Sequence, residues 1–191
     1  MKPIKTGKVR YEVFGPYPFH TSVEATYRYR EALKEFWGRL EKDGSPEAGL
    51  SGAVGVYVWT VKQDGKRLPW NVGLTDRQGF KNRFVQKEAT FLRLLHEQPD
   101  AEIEVYLLAL RSKTGKFRKP TDSQVINANH WLETMLIGSA ISVNPNLRNT
   151  AKAGYLTNAV VEGYLNDTEE KRSPAAKSFS SLFKAQPRKR N

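Results

Sequence analysis

The stretch from Ala53 to Thr75 limits the fold most. Ala53 to Val61 is rich in Val, Tyr, Trp and Thr, which suit a pleated, half-buried surface. Gln63-Asp64-Gly65-Lys66 is turn chemistry, with Gly supplying positive φ and Asp accepting local backbone hydrogen bonds. Pro69-Trp70-Asn71-Val72 returns as a short strand, with proline tolerated at its first position. Gly73-Leu74-Thr75-Asp76 then breaks the strand and can cap a helix after it. Two such runs joined by a short loop predict an antiparallel hairpin that hands the chain to a basic helix.

The flanking sequence supplies helices and one more strand. Thr21 or Ser22 caps a helix expected to reach about Lys42, with Tyr29, Leu33, Phe36, Trp37 and Leu40 on one face. A second helix is expected from Gly79 to His96, buried through Phe80, Phe84, Phe91 and Leu95. Glu102 to Leu110 turns fully apolar after an alternating start, which predicts a third, central strand. Thr121 or Asp122 caps a third helix to about Ser142, with Val125, Leu132, Leu136 and Ile137 inward. Residues 1–21 mix Pro, Gly and aromatics and read as an irregular arm packed on the domain. Gly154 to Asn166 reads as a small closing helix or strand, and the Ser-, Lys- and Pro-rich end as a mobile tail with an apolar patch at Phe179, Leu182 and Phe183.

Composition bounds the function class. With 191 residues, 39% hydrophobic and 27% charged, the chain suits one globular domain with tails. No apolar run approaches the ~20 residues that span a bilayer, and Met1-Lys2-Pro3-Ile4-Lys5 is not followed by a signal-peptide core. No membrane partner and a cytoplasmic location are therefore expected. There is no cysteine, which removes disulfides, thiolate zinc sites and cysteine nucleophiles. The net charge of +11 points to a polyanionic partner. Seven of those charges, Lys171, Arg172, Lys177, Lys184, Arg188, Lys189 and Arg190, come after Glu170 with no acid among them, so residues 1–170 carry only +4.

Several side chains carry candidate chemistry. Arg83 and Lys87 are i and i+4 and share a helix face, whether for a ligand or for solvent. Glu133 sits inside Trp131-Leu132-Glu133-Thr134-Met135-Leu136-Ile137, where a carboxylate is costly unless paired, hydrogen-bonded or metal-bound. An ion pair to Arg83 and a divalent-metal site both answer that cost. His130 and Glu133 are i and i+3, but one such pair does not make a zinc site. Lys113, Lys116, Arg118 and Lys119 lie in a basic loop, open equally to solvent and to a phosphate backbone. Gly115-Lys116 has no preceding Gly-rich run, so a nucleotide P-loop is not expected.

The order Gly55-Val56-Tyr57, Val72-Gly73-Leu74-Thr75, Arg83, Glu133 and Asn144-Pro145-Asn146-Leu147-Arg148-Asn149 resembles a GIY-YIG nuclease domain over roughly Gly52 to Asn149. The longer pattern Pro69-Trp70-x-Val72-Gly73-x-Thr75, with Leu132-Glu133-x-x-Leu136-Ile137, is similar to a little-described bacterial branch of that superfamily. Asn71 stands where the second motif tyrosine would be. The resemblance implies an α+β fold: a small three-stranded antiparallel sheet flanked by helices, with the nucleic-acid site on the face carrying Tyr57 and Asn71. It divides the chain into an arm and helix at 1–50, a nuclease-like domain at 51–166 and a basic tail at 167–191.

The resemblance also implies a metal-dependent endonuclease acting on nucleic acid, DNA first. Glu133 would hold Mg2+ or Mn2+, which acts as Lewis acid on the phosphate. Arg83 would neutralise charge on the equatorial oxygens. Tyr57 would be, or orient, the general base, which requires its phenol pKa to be lowered from ~10. Lys87 would assist water or phosphate, and Asn149 would lock the constellation through its amide. Lys81 joins Arg83, Lys87 and the loop cations as a candidate nucleic-acid contact. Because the amide of Asn71 cannot take a proton, a catalytically inactive nucleic-acid-binding module of the same fold is the alternative. An unrelated interaction domain is the third reading, and it would leave Tyr57, Arg83 and Glu133 far apart. With no separate targeting domain, specificity would come from loops, the tail, a homodimer or a protein partner.

Overall fold

The computed structural model of the chain describes residues 9–19, 29–63, 65–98, 101–120, 123–149 and 173–175. The chain divides into two compact units, residues 1–149 and 150–191. The helix caps expected at Thr21, Ser22, Thr121 or Asp122, the closing element at 154–166 and the tail patch lie outside the described residues.

The first unit is α+β, with a four-stranded antiparallel sheet rather than three strands. Strands β1 (Arg10–Pro18), β2 (Gly55–Gln63), β3 (Lys66–Thr75) and β4 (Glu102–Arg111) stand in the order β1-β4-β2-β3. The β2–β3 hairpin and the interior place of β4 agree with their sequence patterns, but β3 runs from Lys66 through Pro69 and Gly73 to Thr75, where the sequence predicts a start at Pro69 and a break at Gly73. The added strand, β1, comes from residues expected to be an irregular arm. Gly15-Pro16 reads as a strand breaker, yet the pair sits in a register shift between Phe14 and Tyr17, with Gly15 at φ 105°. A bulged edge strand is where a sheet tolerates such a pair.

Helix α1 (Tyr29–Leu40) buries Tyr29, Leu33, Phe36 and Trp37, four of the five residues expected on its apolar face. The expected single helix over Gly79 to His96 is two, α2 (Phe80–Gln86) and α3 (Glu88–Glu97), with Lys87 at the break. Helix α4 (Ser123–Val143) buries Ile137 and Ala140 and packs on β3 and β2.

The main core is aromatic. Tyr57 and Trp59 alternate onto the face of β2 that meets the helices. Trp59 lies 5.0 Å from Phe84 and 5.1 Å from Phe91 between ring centroids, and Phe19 lies 4.6 Å from Phe91. Each such ring pair adds about 0.5–1.5 kcal/mol beyond the area it buries. The cluster fixes α2 against β2, and so sets where Arg83 stands relative to Tyr57. The basic loop after β4 is tied down as well. Ser112 N–H donates to the Lys116 carbonyl, Val54 N–H to the Arg118 carbonyl, and the Arg111 guanidinium lies 3.6 Å from the Phe117 ring centre.

Candidate functional site

The motif glycines are required by close approach. A Cβ on Gly55 would come within 3.0 Å of the Leu108 carbonyl, and one on Gly73 within 3.0 Å of the Tyr57 hydroxyl. Real Cβ atoms essentially never come that near. Gly55 therefore lets β2 sit against β4, and Gly73 gives the Tyr57 phenol its seat on β3. Tyr57 is only 1% exposed, with its ring edge-on to Phe84 at 5.2 Å.

Four chain positions converge there. The charges of Arg83 on α2 and of Glu133 on α4 both reach the Tyr57 phenol. Lys87, at the α2–α3 break, feels both Arg83 and Glu133. The Tyr29 hydroxyl donates to the Phe84 carbonyl at 2.8 Å, tying α1 to the turn between Arg83 and Lys87. Tyr57, Arg83, Lys87 and Glu133 thus form one electrostatic cluster, although Lys87 no longer continues the helix of Arg83.

Burial decides the Tyr57 phenol. It raises the pKa from 10.0 to about 12, against Arg83, which lowers it, and with Glu133, which raises it. A base role for Tyr57 requires this phenol to be lowered, and here desolvation outweighs the guanidinium. Lys87 is held below its ordinary value by burial first and by Arg83 second, with Glu133 opposing. Among the described residues, Arg83 Nε is shut from solvent without a hydrogen-bond partner. Such an orphan donor costs about 1–3 kcal/mol and suits an anion. Two cations and one carboxylate make the cluster an anion site first. A hard divalent cation also fits, since Mg2+ takes one or two carboxylates, water and substrate phosphate oxygens. Glu133 would hold it, with the phosphate offsetting Arg83 and Lys87.

The asparagines act on β3. Asn71 pairs with Trp59 and Gly73 with Tyr57, so alternation puts Asn71 on the Tyr57 face. It lines a narrow gap with Trp59, Trp70, Lys87 and Leu94. The Asn149 side chain accepts from Val72 N–H at 2.8 Å and donates to the Val72 carbonyl. Arg148 N–H donates to the Trp70 carbonyl at 2.8 Å, and the Asn144 amide to the Pro69 carbonyl at 2.7 Å. Residues 144–149 therefore occupy the outer edge of β3, which would otherwise present unpaired backbone groups. Asn144 is more than a turn residue, and Asn149 acts through β3 rather than on a reacting atom.

The remaining candidates are spread out. Lys81 is exposed in the first turn of α2. Lys113, Lys116 and Lys119 are exposed and Arg118 half-buried in the loop beside Val54. Sequence reasoning missed Asn129, which is fully buried in α4. It accepts from the Tyr11 hydroxyl at 2.8 Å and donates to the Thr75 carbonyl at 3.0 Å. Helix α4 carries further amides at Gln124 and Asn127, so its sequence did not single Asn129 out. It also missed Asp76, whose Oδ2 lies 3.3 Å from His130 Nε2. The chain matches no protein-family model, no curated protein and no solved structure in the comparisons made with each.

Proposed function

We propose that the chain is a metal-dependent endonuclease of the GIY-YIG kind, hydrolysing phosphodiester bonds in DNA. The observation that supports this best is the meeting of Tyr57 from β2, Arg83 and Lys87 from α2 and its end, and Glu133 from α4. Arg83 binds the scissile phosphate and holds the charge that grows on its equatorial oxygens. The raised phenol of Tyr57 stays protonated at neutral pH, so it orients the attacking water rather than deprotonating it. Lys87, whose charge is coupled to Arg83 and Glu133, assists the water or the phosphate as the new P–O bond forms, and the water's proton passes to solvent. The P–O3′ bond breaks, and the 3′ oxygen takes a proton from solvent. A divalent cation on Glu133, when bound, supplies Lewis-acid relief to the phosphate and the leaving oxygen. Asn149 keeps β3, and with it Gly73 and the phenol, in place.

A second reading has its own observation. The Tyr57 pKa of about 12, with Asn71 unable to accept a proton, suits a nucleic-acid-binding module of the same shape without turnover. Incubation with mixed DNA and RNA in Mg2+ or Mn2+, comparing the native chain with Glu133→Ala, separates the two. Cleavage lost in the variant supports the nuclease. Salt-sensitive binding that survives Glu133→Ala without cleavage supports the binding module.

A further inference from the structure

A hollow of about 470 Å3 opens beside the cluster and shares Arg83 with it. Asp76, Arg77 and Gln78 line it from the turn after β3, Arg83 and Gln86 from α2, and His130 from α4. The space is within the ~300–1,000 Å3 of ordinary small-ligand sites, and its lining mixes apolar surface, with Leu74 and Thr75 at the end of β3, with the polar groups of the turn, α2 and α4. Two guanidiniums supply anion donors. Gln78 Nε2 donates to Gln86 Oε1 at 2.6 Å, so two carboxamides face each other on one wall. A carboxamide offers a donor and an acceptor together, which is what reading a base edge takes. The Asp76–His130 pair braces α4 against the turn on another side.

We propose that this hollow is the subsite for the nucleotide next to the scissile phosphate, with Gln78 and Gln86 reading its base and Arg77 and Arg83 holding its backbone. The proposal rests on the chain binding nucleic acid but not on turnover. Gln86 is exposed and Gln78 half-buried, so truncation of both at the surface is expected to leave the fold intact.

The test uses the full chain and randomised DNA and RNA oligonucleotide pools. Cleaved ends are sequenced with Mg2+ or Mn2+, and bound sequences are selected in parallel, so that a catalytically idle protein is still read. The native chain is compared with a Gln78→Ala, Gln86→Ala double variant. The expected result is a base preference at one position flanking the cut, or within the bound site, that falls about ten-fold in the variant. The DNA and RNA pools identify which nucleic acid supplies the nucleotide. An unchanged preference in the variant, or no preference in the native chain while it binds, overturns the subsite and leaves the nuclease reading standing. A native chain that neither binds nor cleaves either pool overturns both.

Discussion

The Tyr57 phenol rests on the bare backbone of Gly73: a side chain there would bring its Cβ within 3.0 Å of the hydroxyl and of the ring carbon that bears it. The two motif residues are one device, in which the missing Cβ on β3 makes the space that the β2 ring occupies.

Gly73→Ala should therefore be costly. The Tyr57 ring is walled by Phe84 and cannot swing aside as a flexible tip would. Overpacking of this kind costs about 1–3 kcal/mol, and denaturant unfolding measures it. A variant as stable as the native chain would show that the phenol has another place to go.

The Tyr57 phenol is expected to stay protonated well above neutral pH. Its folded value, about 12, exceeds the unfolded value near 10, so the unfolded chain loses the proton first and the group's effect on stability turns unfavourable as pH rises from about 10 to 12. Tyr11 is raised to about 12 as well, so Tyr57→Phe removes one of at least two late-titrating phenols. NMR of labelled tyrosine resolves them. Arg83→Gln should move the Tyr57 titration upward and Glu133→Gln downward. A phenolate at pH 8 in the native chain would restore Tyr57 as the base.

Lys87→Met separates stability from function. The folded protein holds the ammonium below its ordinary value, a penalty fully present below that folded value and relieved as pH climbs to the unfolded one. The melting temperature should therefore rise at pH 7, with a gain that shrinks toward pH 10, while cleavage falls. Cleavage equal to the native rate would remove Lys87 from assistance to the water or the phosphate.

Asn149→Ala strips both Val72 backbone groups of their partner at the β3 edge. The expected loss is about 1–3 kcal/mol, with faster amide exchange at Val72 in particular. Asn149→Asp keeps the acceptor for Val72 N–H but faces the Val72 carbonyl with a second acceptor, so it should recover little. Unchanged exchange at Val72 would place the lock elsewhere.

Much of this protein was determined by its sequence alone. The alternation and turn residues of 53–75 set the hairpin, the apolar run of 102–110 set the interior strand, and the spacing of Tyr29, Leu33, Phe36 and Trp37 set the buried face of α1. Those are local periodicities, which each stretch carries by itself. Tertiary structure alone decided the rest. The Gly15-Pro16 pair hid β1 because only pairing with β4 turns a breaker into a bulge. A pattern of apolar residues cannot show that the helix stops at Lys87. The pKa of Tyr57 depends on how completely Phe84 and its neighbours exclude water, which no spacing encodes. The meetings of Asp76 with His130 and of Asn129 with Tyr11 join residues 54 and 118 positions apart. Such contacts exist only once the sheet order has brought their elements together.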